Sequence, residues 1–476
     1  MTYQKFKKTI AHFLCATMCI ISSFGCGNSS TVQTTETATS AEAQSTIEPT
    51  VTPIENIVVY ELPTAAEEAD IFVEPIPDLS DSFIRGMDTS TILVEEKSGV
   101  TYYNEAGEEQ DVFQTLAQAG VNYIRLRVWN DPYDENGNGY GGGNNDVPTA
   151  IELGKRATQY GMQVCIDFHY SDFWADPSKQ MVPKAWKGMT TEEKSNALYT
   201  FTKDSMKQIL DAGVNVGMVQ IGNETNNGMS GETLIPNVTM LMSAGSRAIR
   251  EIATEYDKDI KIAVHYTNIE DFDKIDRMAL NLLNFGVDYD VFAISYYPFW
   301  HGTFENLENV ITHIRTKYNK DVVIAETSYC YTTEDGDCNG NSINGSVLVD
   351  GYAATVQSQA TLVRDICEIA NRAGALGVFY WEGTWIPVGD NYEENQKKWE
   401  TYGSGWASSY AAGYDPKDAG QYYGGCAWDN QAMFDWYGHP LASLNVFKYL
   451  KHGTITPLAV DYIPTCLLYT SPSPRD

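Results

Sequence analysis

Thr190-Thr-Glu-Glu193 opens a helix, Asp211-Ala-Gly213 closes it, and Val216-Gly-Met-Val-Gln-Ile-Gly-Asn223 follows as a short apolar run. The opening has the spacing of a capping box, in which a Thr hydroxyl and a Glu three residues on satisfy each other's free amides. Between the two ends, Ala197, Phe201, Ser205 and Ile209 recur at four-residue steps, one face of a helix. Gly213 suits a helix C-terminus, where a left-handed residue is common. One helix handing over to one buried strand is half of a repeating unit, so the rest of the chain is read for repeats.

The unit recurs. Apolar runs occur at Phe83–Asp88, Asn122–Trp129, Met162–His169, Val216–Asn223, Ile260–His265, Val291–Tyr296, Val322–Glu326 and Leu376–Trp381. Gly120 and Gly161 sit just before the second and third runs, as Gly213 does before the fourth. Strands alternating with helices imply a parallel sheet, and eight such units imply a closed (β/α)8 barrel in the α/β class. The barrel is expected over residues 80–455.

The flanks read differently. Lys5, Lys7 and Lys8 precede an apolar stretch from Ile10 to Ile21, the outline of a secretory signal over residues 1–26. Ser22-Ser-Phe-Gly-Cys26 then resembles a bacterial lipoprotein processing site, with Cys26 as the lipidated residue. Residues 27–79 hold no Lys or Arg and are rich in Thr, Ser, Ala, Pro and Glu. Such a composition is expected to behave as an acidic surface linker, although Asn56–Ser80, with strand-like Ile57-Val-Val-Tyr60, could instead be a small strand leaning on the main domain. At the far end, residues 465–476 resemble translated sequencing-adapter DNA.

Composition narrows the function. With 32 Lys+Arg against 63 Asp+Glu the formal charge is −31, which argues against binding a phosphate backbone and so against nucleic acid. Thirty Tyr and 10 Trp are an abundance suited to a cleft that stacks on sugars. The nine Cys include no CxxC pair or Cys/His cluster, so a zinc site is not expected. Cys330 and Cys338 could close a small loop or stay free. No glycine fingerprint for a nucleotide cofactor follows a strand.

In a barrel of this kind chemistry gathers at the C-terminal ends of the strands. Those ends carry Asp88; Arg125, Arg127 and Trp129; Asp167 and His169; Asn223 and Glu224; His265; Tyr296; Glu326; and Trp381. Singly, a Glu at a strand end is usually a solvated or capping carboxylate. Here all eight ends carry polar or aromatic groups, and Glu224 and Glu326 face each other across the mouth. Two opposed carboxyls are what a glycosidase needs, one as general acid and one as nucleophile.

The motifs Arg125-Leu-Arg-Val-Trp-Asn-Asp-Pro132, Asp167-Phe-His-Tyr-Ser-Asp-Phe-Trp-Ala-Asp-Pro177, Ile221-Gly-Asn-Glu-Thr225, Ser295-Tyr-Tyr-Pro-Phe299 and Phe379-Tyr-Trp-Glu-Gly383 resemble glycoside hydrolase family 53. The likeness covers about residues 80–450. It implies a retaining endo-β-1,4-galactanase acting on galactan side chains, with Glu224 as acid/base and Glu326 as nucleophile. Arg125 or Arg127 and the Tyr296 hydroxyl are expected to hold Glu326 as the anion. Asn223 is expected to donate to the sugar 2-OH and Trp381 to underlie the sugar at the cleaved bond, with Asp88, Asp167, His169 and His265 ordering the site. Trp129, Trp174, Trp300 and Trp385 are candidates for outer subsites.

Glu334-Asp-Gly-Asp-Cys-Asn-Gly-Asn341 places oxygens at alternate positions, a pattern suited to Ca²⁺ at Asp335, Asp337, Asn339 and Asn341. The resemblance points the same way, since bacterial members tie their seventh and eighth loops with calcium, often using His where Asn339 stands. A second alternating run, Asp134 to Gly143, reads as a mobile substrate loop. Two other functions fit these residues: a β-1,4-glycanase for mannan, xylan or glucan, and a non-catalytic glycan-capture lipoprotein. A cleft that accepts a polymer suits a monomer.

Overall fold

A computed structural model describes residues 50–456. The signal segment, Cys26 and the adapter-like tail lie outside the described residues. The strands are β1 (Ile84–Asp88), β2 (Tyr123–Val128), β3 (Gln163–Phe168) and β4 (Val216–Ile221), then β5 (Lys261–Tyr266), β6 (Val291–Ser295), β7 (Asp321–Thr327) and β8 (Gly377–Tyr380). Each pairs in parallel with the next, and β8 returns to β1, closing the barrel. Between β1 and β4 run α1 (Ile92–Lys97), α2 (Val112–Gln118), α3 (Val147–Gln159) and α4 (Thr191–Asp211). The later helices are α5 (Ile235–Glu255), α6 (Phe272–Asn284), α7 (Phe304–Tyr318), α8 (Val356–Ala373), α9 (Tyr392–Tyr402) and α10 (Val446–Tyr449). Among the described residues no helix is long and apolar enough to cross a membrane.

The local signals act as expected. Thr190 and Glu193 cap α4 reciprocally, and Gly120, Gly161 and Gly213 all have positive φ ahead of their strands. Inside the barrel, side chains two residues apart share a face. One interior layer is apolar and includes Tyr123, Cys165, Met218, Ala263, Ala293 and Phe379. Gly86 faces Phe379 so closely that a Cβ there would lie 2.2 Å from the ring. Two residues further along the same strands stand Arg125, Asp167, Gln220, His265, Ser295 and Trp381, and the floor of the mouth is polar.

Strand β7 breaks this parity. Val323 and Ala325 point into the barrel, so alternation would turn Glu326 outward. The register shifts between β6 and β7, pairing Ile294 with Ile324 but Ser295 with Glu326. That extra residue re-aims the glutamate into the mouth, a common use of a bulge beside an active site.

The linker expected over residues 27–79 is ordered where it is described. Val58 N donates to the carbonyl of Gln159 at the end of α3, and Thr52 N to that of Asp211 at the end of α4. Further on, Ile71, Val73, Ile76 and Leu79 are buried in the main core. Val73 pairs through its backbone with Thr454, and Ile76 N donates to Leu450 O. The acidic composition hid this because the buried residues are spaced singly between Pro and carboxylates.

Candidate active site

The mouth is built around one guanidinium. Arg125 is surrounded by acceptors: Nη1 lies 2.9 Å from both Asp88 Oδ2 and Glu326 Oε1, the latter as an ion pair, while Nη2 donates to Asp167 Oδ2 at 2.8 Å and Asn223 Oδ1 at 2.9 Å. Its Nε donates to Gln220 Oε1 at 3.2 Å. A buried charge is tolerated when it is paired and hydrogen-bonded, and five acceptor side chains from four other strand ends surround this one. Burial works against ionising Asp167, yet Arg125 and His169 outweigh it and hold that carboxyl at about 2.

The two glutamates are held differently. Glu326 has Arg125 on Oε1 and accepts a hydrogen bond from Tyr297 Oη on Oε2 at 3.0 Å. Burial raises its pKa and the arginine pulls it back. Among the described residues no cation pairs with Glu224; Ser295 Oγ donates to its Oε1 at 2.7 Å. Burial, and then the charge of Glu326, push Glu224 up to about 8. At neutral pH Glu224 therefore keeps its proton, and the ion pair with Arg125 favours the charged form of Glu326. The backbone of Glu224 is left-handed, φ 43°, as is that of Glu382 after β8, φ 49°. Both conformations are rare for non-glycine residues and are held by the surrounding loops.

Two histidines set hydrogen-bond directions. His169 Nδ1 accepts from Trp129 Nε1 and Ala175 N, both at 3.1 Å, so its Nε2 carries the proton toward Asp167. His265 Nε2 contacts Ser295 Oγ at 2.9 Å. Since Ser295 gives its own proton to Glu224, it accepts from His265. Burial keeps both imidazoles neutral at pH 7, their pKa values lying below the usual range.

A cleft of about 620 Å³ lies above this floor. It brings together Glu224, Glu326, Asn223, His169 and Trp381, with Trp174, Trp300 and Trp385. Asp88, Arg125, Arg127, Asp167 and His265 do not line it; each is at most 1% exposed and acts from beneath. Trp129 is likewise fully buried. Tyr296 needs correcting. Its hydroxyl donates to Gly302 O at 3.0 Å, and the tyrosine on Glu326 is its neighbour Tyr297. Parity along β6 from Ala293 through Ser295 points to Tyr297, a signal present in the sequence. Of the two arginines expected as alternatives at Glu326, Arg125 makes the ion pair, and Arg127 pairs with Glu382 instead.

A model of glycosyl hydrolase family 53 matches residues 84–447. The chain belongs to this family. An endo-beta-1,4-galactanase of Bacillus subtilis (strain 168) is 55% identical over 390 residues, 81% of this chain and 90% of the relative. An arabinogalactan endo-beta-1,4-galactanase of Cellvibrio japonicus (strain Ueda107) is 32% identical, over 64% of this chain and 81% of that one. The solved family 53 catalytic domain of Ignisphaera aggregans superposes with a TM-score of 0.71 at 38% identity, covering 80% of this chain and 99% of that one. As a family 53 member the protein is a glycoside hydrolase.

Other features of this family 53 site were hidden in the sequence. Trp406 and Trp428, from the long segment after β8, also line the cleft. Lys179 clasps that segment through Asp415 at 2.9 Å and Asp418 at 2.5 Å. In the acidic loop after β7, carboxylate oxygens of Asp335, Asp337 and Asp429 come within 4.8 Å of one another. Asp429 lies far along the chain and carries no motif. Asn341 Oδ1 and Asp429 Oδ1 are buried without a hydrogen-bond donor. The second alternating run is no free loop. Asp134 Oδ1 accepts from the amides of Asn136 at 2.9 Å and Asn138 at 2.8 Å, while Gly142 and Gly143 donate to the carbonyls of Gly405 and Gly403. Cys165, Cys330, Cys338, Cys367 and Cys426 are all free thiols.

Proposed function

We propose that the protein is a retaining endo-β-1,4-galactanase, exported and held at the cell surface by a lipid on Cys26. The unequal environments of the two glutamates carry the mechanism. Glu326, kept anionic by Arg125 and Tyr297, attacks the anomeric carbon. Glu224 protonates the glycosidic oxygen as that bond breaks, and the shortened chain leaves. Retention calls for carboxyls about 5–5.5 Å apart, close enough for direct attack. Once Glu326 is an ester its charge is gone, the pKa of Glu224 falls, and Glu224 takes a proton from the incoming water. The water oxygen bonds the anomeric carbon, the ester breaks, and Glu326 leaves as carboxylate. Asn223 gives one amide hydrogen to Ala175 O, leaving the other for a sugar hydroxyl.

The residues at the acidic loop suit calcium. Asp335, Asp337, Asn339, Asn341 and Asp429 offer hard oxygens, and the two orphaned buried oxygens there are what a cation would satisfy. A bound ion would fasten the segment after β7 to the one after β8. The test is reducing-sugar release from galactan, mannan, xylan and β-glucan, with Glu326→Ala alongside and with calcium or chelator present. Release confined to galactan and lost in Glu326→Ala is the expected result. Turnover of another glycan would overturn the substrate, and equal behaviour of mutant and wild type would favour glycan capture. Chelation is expected to lower Tm, and Cys26→Ser to move the enzyme from the membrane fraction to the medium. Light scattering is expected to report a monomer.

A further inference from the structure

Glu382 follows β8, is 1% exposed, and takes no part in the chemistry above. Its Oε1 makes a close ion pair with Arg127 Nη1, and its Oε2 accepts from Thr91 Oγ1 at 3.2 Å. Arg127 in turn lies over the ring of Trp174, with Cζ 4.3 Å from the ring centroid. Trp174 is a wall of the cleft. Its Nε1 donates to Trp406 O at 2.8 Å, and it lies near parallel to Trp385 at 6.3 Å. Gly142 fits beneath, where a Cβ would be 2.8 Å from Trp174 Cζ2. Gly142 O also accepts from Arg127 Nη2 at 3.2 Å.

We propose that Glu382 is a positioning residue that, through Arg127, fixes Trp174 as a binding surface for sugar units away from the cleaved bond. Glu382 is absent from the cleft lining, so it acts only through its neighbours. Among the described residues Arg127 has one other carboxylate in reach, Asp88 Oδ1 at 3.4 Å, and Asp88 already serves Arg125. With the carboxylate of Glu382 replaced by an amide, Arg127 loses its nearest acidic partner and is drawn toward Asp88 and off the tryptophan face. A guanidinium over an aromatic ring, desolvated as here, is a strong contact to lose. The two arginines of β2 thus divide the work: Arg125 serves the nucleophile and Arg127 serves reach along the polymer.

This inference rests on the galactanase reading, which wild-type turnover of the same oligosaccharides tests separately. The experiment compares wild type with Glu382→Gln, taking kcat and KM on β-1,4-galactooligosaccharides of increasing length. The expected result is a KM raised about fivefold or more on long chains, with kcat held within about twofold and the shortest cleaved substrate unaffected. Loss of a remote binding contact, and not loss of fold, gives that length-dependent split. A fall in kcat at unchanged KM would overturn the inference, since it would place Glu382 on the Asp88–Arg125–Glu326 route. Unchanged parameters at every length would also overturn it. Should Glu382→Gln fail to fold, Thr91→Val, which deletes only the hydrogen bond to Oε2, is expected to shift KM in the same direction; no shift there counts against the proposal.

Discussion

At the scale of single residues, adjacent side chains on one strand end have opposite fates. Tyr297 donates to Glu326, the proposed nucleophile, whereas Tyr296 is spent on the Gly302 carbonyl. A hydrogen bond to a charged group is worth about 1.5–3 kcal/mol, so Tyr297→Phe is expected to lower kcat about 10- to 100-fold. Tyr296→Phe should leave kcat within about twofold, and steady-state kinetics on galactan checks both. A reversed order would remove Tyr297 from the mechanism. The glutamates also fix the pH profile. In the proposed mechanism activity needs Glu326 ionised and Glu224 protonated. The acid limb therefore lies above the ordinary carboxylate range, and the alkaline limb sits near 8, the value to which burial and the charge of Glu326 push Glu224. On an aryl glycoside whose leaving group needs no proton, Glu224→Ala should keep the acid limb of the glycosylation step and lose the alkaline one. An alkaline limb that stays in place would assign it to another group.

At the scale of elements, the barrel's inner layers were legible in the sequence and its exceptions were not. Parity places Arg125, Asp167, Gln220, His265 and Trp381 on the polar floor once their strands are found, and the strand ends proved right to within a residue or two. Glu326 was found from its place at the end of the seventh apolar run, opposite Glu224, although strict parity on β7 would point it outward. The shift between Ile294 and Ser295 is a backbone event that no side chain announces. Asp429 was missed because a ligand contributed from a remote loop has no spacing to detect. The same layers yield a stability prediction. Gly86 leaves room for the Phe379 ring, with a Cβ there only 2.2 Å from it. Gly86→Ala is expected to cost about 1–3 kcal/mol by overpacking, and Phe379→Leu in that background to recover part of it. Urea unfolding measures both, and an unaltered midpoint for Gly86→Ala would mean the interior can yield.

At the scale of the whole molecule, the catalytic unit begins earlier than composition suggests. Ile71, Val73, Ile76 and Leu79 belong to the same core as the helices and strands. An enzyme cut to begin at residue 80 is expected to melt at a lower Tm than one beginning at residue 50, because four core side chains are lost. Equal melting temperatures would show the segment to be dispensable. The pairing of Val73 with Thr454 and of Glu67 O with Ile455 N has a mechanical corollary. Entry and exit of the chain are stitched into one seam, with β1 starting eleven residues beyond Val73. Tension arriving from the amino-terminal side must strip that seam before it can peel β1 from β8. An enzyme tugged by its tether while gripping a fixed polymer would thus yield at its edge, and its closed ring of strands would go last.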